Sequence, residues 1–182
     1  LSILDLGIGD GFVEEKLKER NIKYKLSGID ISKVSIEKAK NNLNGEFILG
    51  DVLKINKYYN GKTFDIILAI ELLEHISVSK LFSLYKHIHE LLNIDGKFIF
   101  SVPINENLHL MNSNPSAHVR EYAYEIADAE LKLNGFKIEK AKYLFAFNKY
   151  YFLKKILSKI LHKRWKPNCL IVVAKKVSGK VQ

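Results

Sequence analysis

Five short stretches hold residues whose types and spacing can do chemistry. "LDLGIGDGF" (4–12) sets Gly7, Gly9 and Gly11 at alternate positions after an apolar run, with Asp5 just before them. "GIDIS" (28–32) brings an apolar run to Asp30, and "GDV" (50–52) brings the next one to Asp51. "AIELLEHI" (69–76) carries Glu71, Glu74 and His75, and "HVREY" (118–122) carries His118. A glycine loop between a strand and a helix lets the backbone pass close to a ligand, and the helix start offers free N–H groups. A carboxylate at a strand end can accept from two neighbouring hydroxyls. Glu71, Glu74 and His75 stand at i, i+3 and i+4, so on a helix they share one face. With His118 they make two carboxylates and two imidazoles, donors that suit Mg²⁺, Mn²⁺, Fe²⁺ or Zn²⁺. His75 or His118 can equally act alone as a general base on a hydroxyl.

These residues need elements to hold them. Apolar runs at 2–6, 24–30, 45–52, 64–70 and 96–103 read as strands, and "FDIILAI" (64–70) is apolar throughout, as a central parallel strand is. Helical spacing covers 12–20, with Phe12, Val13 and Leu17 inward, then 32–43 behind the cap Ser32, then 77–93 and 120–135. Strand and helix alternate through the first five strands, which predicts a parallel sheet with helices on both faces. Ligands bind such a sheet outside the carboxyl ends of its strands, and every motif above falls at one. Two further strands, 136–145 and 168–177, give a different ending. The polar stretch after Pro103 is long for a connection and reads as a substrate loop over 104–120.

The loop spacing is G-x-G-x-G, with Phe12 where a dinucleotide loop has its last glycine, and no Gly-Lys-Ser/Thr ending follows. Asp5 to Gly11 instead closely resembles the first motif of class I S-adenosylmethionine-dependent methyltransferases. Asp30, Asp51 with Val52, "AIELLEHI" and "LLNIDGKFIFSVP" match the later motifs in order and spacing, so the resemblance spans essentially the whole chain. It implies one domain over 1–182 with a Rossmann-like seven-stranded sheet, mostly parallel, and an antiparallel last strand. It implies S-adenosylmethionine as cofactor: Asp5, Gly7, Gly9 and Gly11 at its amino acid moiety, Asp30 at the ribose, Asp51 and Val52 at the adenine, with Ile31 and Ile70 also at the cofactor. Asp/Asn-Pro-Pro-Tyr/Phe, the mark of enzymes acting on base amines, is absent from the fourth motif. "LEHI" resembles the ubiquinone-type and small-molecule O-methyltransferases, which implies a hydroxyl of a small, lipid-linked or sugar acceptor. E-x-x-E-H with a distant His is also similar to the metal site of small-RNA 3′-end 2′-O-methyltransferases. That likeness implies a divalent metal held by Glu71, Glu74, His75 and His118, and keeps RNA ribose as a second acceptor. A cofactor-binding subunit without turnover is the third reading.

Charge divides the chain. From Lys137 onward there are thirteen Lys or Arg and one acid, Glu139, a net +12, while the first 136 residues hold 16 basic and 19 acidic residues, a net −3. Within the insertion 145–168, residues 149–166 read as an amphipathic helix. Tyr150, Leu153, Ile156, Leu157, Ile160 and Leu161 line one face, and Lys154, Lys155, Lys159, Lys163 and Arg164 lie opposite. Such a helix either packs on the sheet with its lysines in water, rests on an anionic membrane surface, or meets RNA with Tyr150, Tyr151 and Trp165 free to stack. No apolar run approaches the ~18 residues of a membrane span. The lone cysteine, Cys169, excludes an internal disulfide and fits a reducing, cytoplasmic setting, peripheral to a membrane if the basic helix binds one. The chain opens on Leu1 rather than Met, consistent with a segment preceding it.

Overall fold

In the computed structural model, residues 1–106, 108, 113–114, 117–145, 154, 156–157 and 166–177 are described. Seven strands form one sheet: β1 (Ser2–Leu6), β2 (Lys25–Asp30), β3 (Glu46–Leu49), β4 (Phe64–Ile70), β5 (Leu92–Pro103), β6 (Phe136–Leu144) and β7 (Cys169–Lys176). Their spatial order is β3-β2-β1-β4-β5-β7-β6. β1 to β5 pair in parallel, and β7 runs antiparallel to both β5 and β6. The order reverses between β1 and β4, and that switch point opens a crevice at the carboxyl ends.

Helices α1 (Phe12–Glu19) and α2 (Lys33–Asn42) cover one face; α3 (Ile55–Tyr58), α4 (Val78–Leu91) and α5 (Tyr124–Leu133) belong to the other. Ile36, Ala39 and Leu43 pack with Ile3, Leu26 and Leu68 on the first face. Leu81, Leu84, Tyr85 and Ile88 of α4, with Ala127 and Leu131 of α5, pack with Leu4, Leu6, Ile67 and Phe98 on the second. Alternate residues of β1 therefore serve opposite cores, as a pleated strand buried on both sides requires.

Several boundaries differ from the sequence reading. β3 stops at Leu49 because the Asp51 carboxylate accepts from Leu53 N (2.9 Å) and starts a 3₁₀ turn. α4 ends at Leu91, and β5 starts at Leu92, where the ladder to β4 slips between Phe64 and Ile66. α5 begins only at Tyr124, since Tyr122 bridges to Ile104 beside β5. Phe12, expected inward, is 68% exposed, and the fully buried residue of α1 is Glu14. Gly11 enters α1 in the left-handed conformation (φ 74) and so sets the helix phase. Val13, Glu14 and Leu17 then share the inner face. Ser32 caps α2 as expected, accepting from Ser35 N at 3.2 Å. Most of the basic segment 149–166, and much of the loop 104–120, lies outside the described residues. Among the described residues, no helix is long and apolar enough to cross a membrane.

Candidate functional site

The glycine loop is tied to β2. Gly7 N and Ile8 N both donate to the Ile29 carbonyl (2.8 and 3.2 Å). Gly9 N donates to Asp30 Oδ2 (2.9 Å), while Ser32 N donates to Asp30 Oδ1 (2.7 Å). Asp30 thus fastens the loop to the end of the neighbouring strand and keeps lone pairs free on both oxygens. All three loop glycines have positive φ. A Cβ on Gly9 would meet nothing nearer than the Gly7 carbonyl at 3.9 Å, so the loop leaves room for a ligand above it. A Cβ on Gly11 would fall 2.6 Å from Leu43 Cδ1 at a φ of +74. Gly11→Ala is expected to lower stability by about 1–2 kcal/mol through the left-handed backbone alone. Chemical denaturation measures this, and an unchanged midpoint would show that the turn relaxes freely.

Asp51 lies just past β3 and Val52 opens its 3₁₀ turn; both are half-buried. Ile31 and Leu49 are 79% and 52% exposed at the ends of β2 and β3, and Phe12 stands uncovered beside the loop. Large apolar side chains bared along one crevice mark a ligand surface better than scattered ones do.

Beyond β4 the backbone turns sharply: Glu71 has a φ of 50 and belongs to no helix. Its N–H donates to the Ser101 carbonyl at 3.1 Å, and its carboxylate accepts from Ser101 Oγ at 2.5 Å and from Cys169 Sγ at 3.7 Å. Burial, then the Glu71 charge, pushes the Cys169 thiol up to about 11. The expected common face of Glu71, Glu74 and His75 is therefore not formed, because only Leu73–His75 is helical, as one 3₁₀ turn.

Glu74, His75 and His118 do come together, each offering a ligand atom within 4.8 Å of the others. Val119 N donates to the Glu74 carbonyl (2.9 Å), which fastens the His118 segment to this turn. Asn114 brackets His118, donating to its carbonyl and accepting from its N–H. The His75 and His118 rings meet edge to face, 4.8 Å between centroids. Glu74 is fully buried, and among the described residues both its carboxylate oxygens lack a hydrogen-bond partner. Burial foremost, aided by Glu71 and Glu106, raises its carboxyl to about 7, against the pull of its own backbone N–H and of His118.

Glu106 is the residue the sequence reading missed. Both its carboxylate oxygens lie 2.9 Å from His118 Nδ1. Among the described residues, this contact leaves Nε2 of His118 as the free ring nitrogen. No periodicity marks Glu106 within its polar loop, and no local signal links it to His118, 12 residues further along the chain.

Two open cavities of about 540 and 560 Å³ lie at the opposite ends of the strands. The first is lined by Ser2, Lys25, Glu46 and Thr63, the second by Leu1, Asp65 and Asn93. None of the chemistry-bearing residues reaches either one, so the carboxyl-end crevice remains the candidate site.

Comparison with known proteins identifies the family of this sheet. The family model described as "Methyltransferase domain" matches residues 3–96, from β1 into the start of β5. A malonyl-[acyl-carrier protein] O-methyltransferase of Ilyobacter polytropus is 32% identical over 104 residues, which is 55% of this chain and 37% of that protein. The match therefore spans little more than a third of that relative. A SAM-dependent methyltransferase from Archaeoglobus fulgidus superposes with a TM-score of 0.71 at 18% identity, covering 96% of this chain and 86% of its own. Magnesium protoporphyrin IX methyltransferase from Synechocystis PCC 6803, solved with bound SAM, gives 0.62 at 16% identity, with coverage of 96% and 69%. Matched by that family model over just more than half of its length, the chain belongs to the methyltransferase-domain family, whose cofactor is S-adenosylmethionine.

Proposed function

We propose that the protein binds S-adenosylmethionine over β1–β3 and transfers its methyl group to an oxygen of a small acceptor held over β4 and β5. One observation carries this reading: the glycine loop, Asp30 and Asp51 share a sheet edge with the Glu74–His75–His118 group. The cofactor, when bound, supplies a sulfonium-activated methyl. The chain must then hold both partners and ready the acceptor. Asp30 accepts the ribose hydroxyls with the lone pairs its loop contacts leave free. Asp51 accepts from the adenine amino group, with Ile31, Val52 and Ile70 against the ring. Asp5 balances the cationic amino group, and Gly7, Gly9 and Gly11 let the backbone pass beside it.

His118 has Nδ1 held by Glu106, so its Nε2 is set to take a proton from an acceptor hydroxyl, with His75 at its edge. The same group fits a divalent cation. The unpartnered buried oxygens of Glu74 want a positive charge, and His75 and His118 complete a three-donor set; Glu71 is not part of it. A cation there would bind acceptor oxygens and lower the pKa of the attacking hydroxyl. The name of the Ilyobacter relative supports oxygen as the methylated atom. The small-RNA likeness of the Glu71-x-x-Glu74-His75 sequence with His118 keeps RNA ribose as the second reading, with the basic segment 149–166 as the contact to RNA or to acidic lipid.

Labelled S-adenosylmethionine incubated with fractionated extract tests this. Label is expected in the small-molecule or lipid pool, alkali-stable for an ether and alkali-labile for an ester. Label confined to RNA would select the second reading, and no transfer to any pool would leave a binding subunit. Dialysis against chelator is expected to cut transfer at least tenfold, with recovery on adding Mg²⁺, Mn²⁺, Co²⁺ or Zn²⁺. Indifference to chelator would remove the metal and leave His118 as general base; His118→Ala should then cost about 10²–10⁴ in kcat.

A further inference from the structure

Beneath the glycine loop lies a second pair of acids that the reaction scheme leaves unused. Asp5 on β1 is 3% exposed and Glu14 on α1 is fully buried. Their carboxyl groups face each other across the interface between strand and helix. Asp5 Oδ1 and both Glu14 carboxylate oxygens have no hydrogen-bond partner among the described residues. Among the described residues, Asp30 of β2 also acts on Asp5, and Glu14 acts on Tyr24, whose hydroxyl donates to the Glu14 carbonyl at 3.1 Å. Neither supplies positive charge. Two adjacent carboxylates cannot both ionise in such a place without a cation. Burial first, then Glu14 and Asp30, holds the Asp5 carboxyl well above the ordinary carboxylate range.

We propose that Asp5 and Glu14 share one proton in the free protein, and that a ligand's cationic α-amino group displaces this proton when it docks beside Asp5. Glu14 is then a positioning residue that acts through Asp5, making binding selective for ligands that bring an ammonium. This rests on the assignment of the crevice to S-adenosylmethionine. The balance is simple: the carboxyl O–H bond breaks, the proton leaves to solvent, and the ammonium takes its place as counter-charge. Binding favours the deprotonated pair, so affinity for an ammonium ligand rises with pH until the free pair has itself ionised.

Calorimetry of the whole chain in buffers of differing ionisation enthalpy counts the protons. S-adenosylhomocysteine carries the ammonium and 5′-methylthioadenosine lacks it. At neutral pH the wild-type protein is expected to release about one proton with the first ligand and almost none with the second. Affinity for S-adenosylhomocysteine should rise several-fold per pH unit, while that for methylthioadenosine stays flat. Glu14→Gln keeps the side-chain shape and should abolish both the proton release and the pH slope, with methylthioadenosine affinity unchanged. Proton-free binding of S-adenosylhomocysteine by wild type would overturn the proposal, and so would an unaltered proton count in Glu14→Gln. Binding of neither nucleoside would fell the cofactor assignment itself, a result distinct from both.

Discussion

Asp30→Ala is expected to weaken S-adenosylhomocysteine binding at least a hundredfold, read by calorimetry on protein whose melting transition stays cooperative. Two contributions add. The ribose hydroxyls lose a charged acceptor, each hydrogen bond being worth about 1.5–3 kcal/mol. The loop also loses its anchor, because Gly9 N and Ser32 N both donate to that carboxylate. Asp30→Asn separates the two, since an amide oxygen can still accept from one of the backbone donors but brings no charge to the ribose. It should recover part of the stability and little of the affinity. Full-strength binding by Asp30→Ala would remove the ribose contact from the scheme, and with it the main support for the cofactor's orientation.

Glu130→Ala is expected to be strongly destabilising, costing about 3–5 kcal/mol and lowering the melting midpoint by about 10 °C for a domain of this size. Glu130, 7% exposed on α5, pairs with Arg120. It also accepts from the Tyr85 hydroxyl (3.2 Å) and the Tyr122 hydroxyl (3.4 Å). Arg120 lies over the Tyr122 ring, 4.3 Å from its centroid, and its Nε and Nη1 are already buried without partners among the described residues. Removing Glu130 would strand a guanidinium and two phenols in the core between α4 and α5. Burial first, then Tyr122 and Glu130 for Tyr85, and Glu130 for Tyr122, already pushes both phenols upward from their ordinary pKa, so neither can ionise to replace the lost charge. Replacing both partners, Arg120→Met with Glu130→Leu, should recover most of the loss, because a well-packed apolar pair needs no solvation. A melting midpoint unmoved by Glu130→Ala would mean that water reaches Arg120.

The sheet and the order of its motifs were legible in the sequence because each signal is local. An apolar run names a strand, a glycine cluster names the turn after it, and in a parallel sheet all carboxyl ends gather on one edge. Asp5, Gly7, Asp30, Asp51 and Glu74 were therefore bound to meet there whatever the packing details. What tertiary structure decided is everything that depends on phase or on partners far along the chain. Gly11 set the phase of α1, turned Phe12 outward and buried Glu14 against Asp5. The left-handed turn at Glu71 moved that carboxylate from the histidines to Ser101, 30 residues away. Glu106 reached His118 from a loop without periodicity, and Arg120 found Glu130 across the boundary of α5. Hydrophobic spacing reports which side of an element faces the core. A carboxylate's partner is chosen by desolvation and charge at short range, and those exist only once the chain has closed on itself.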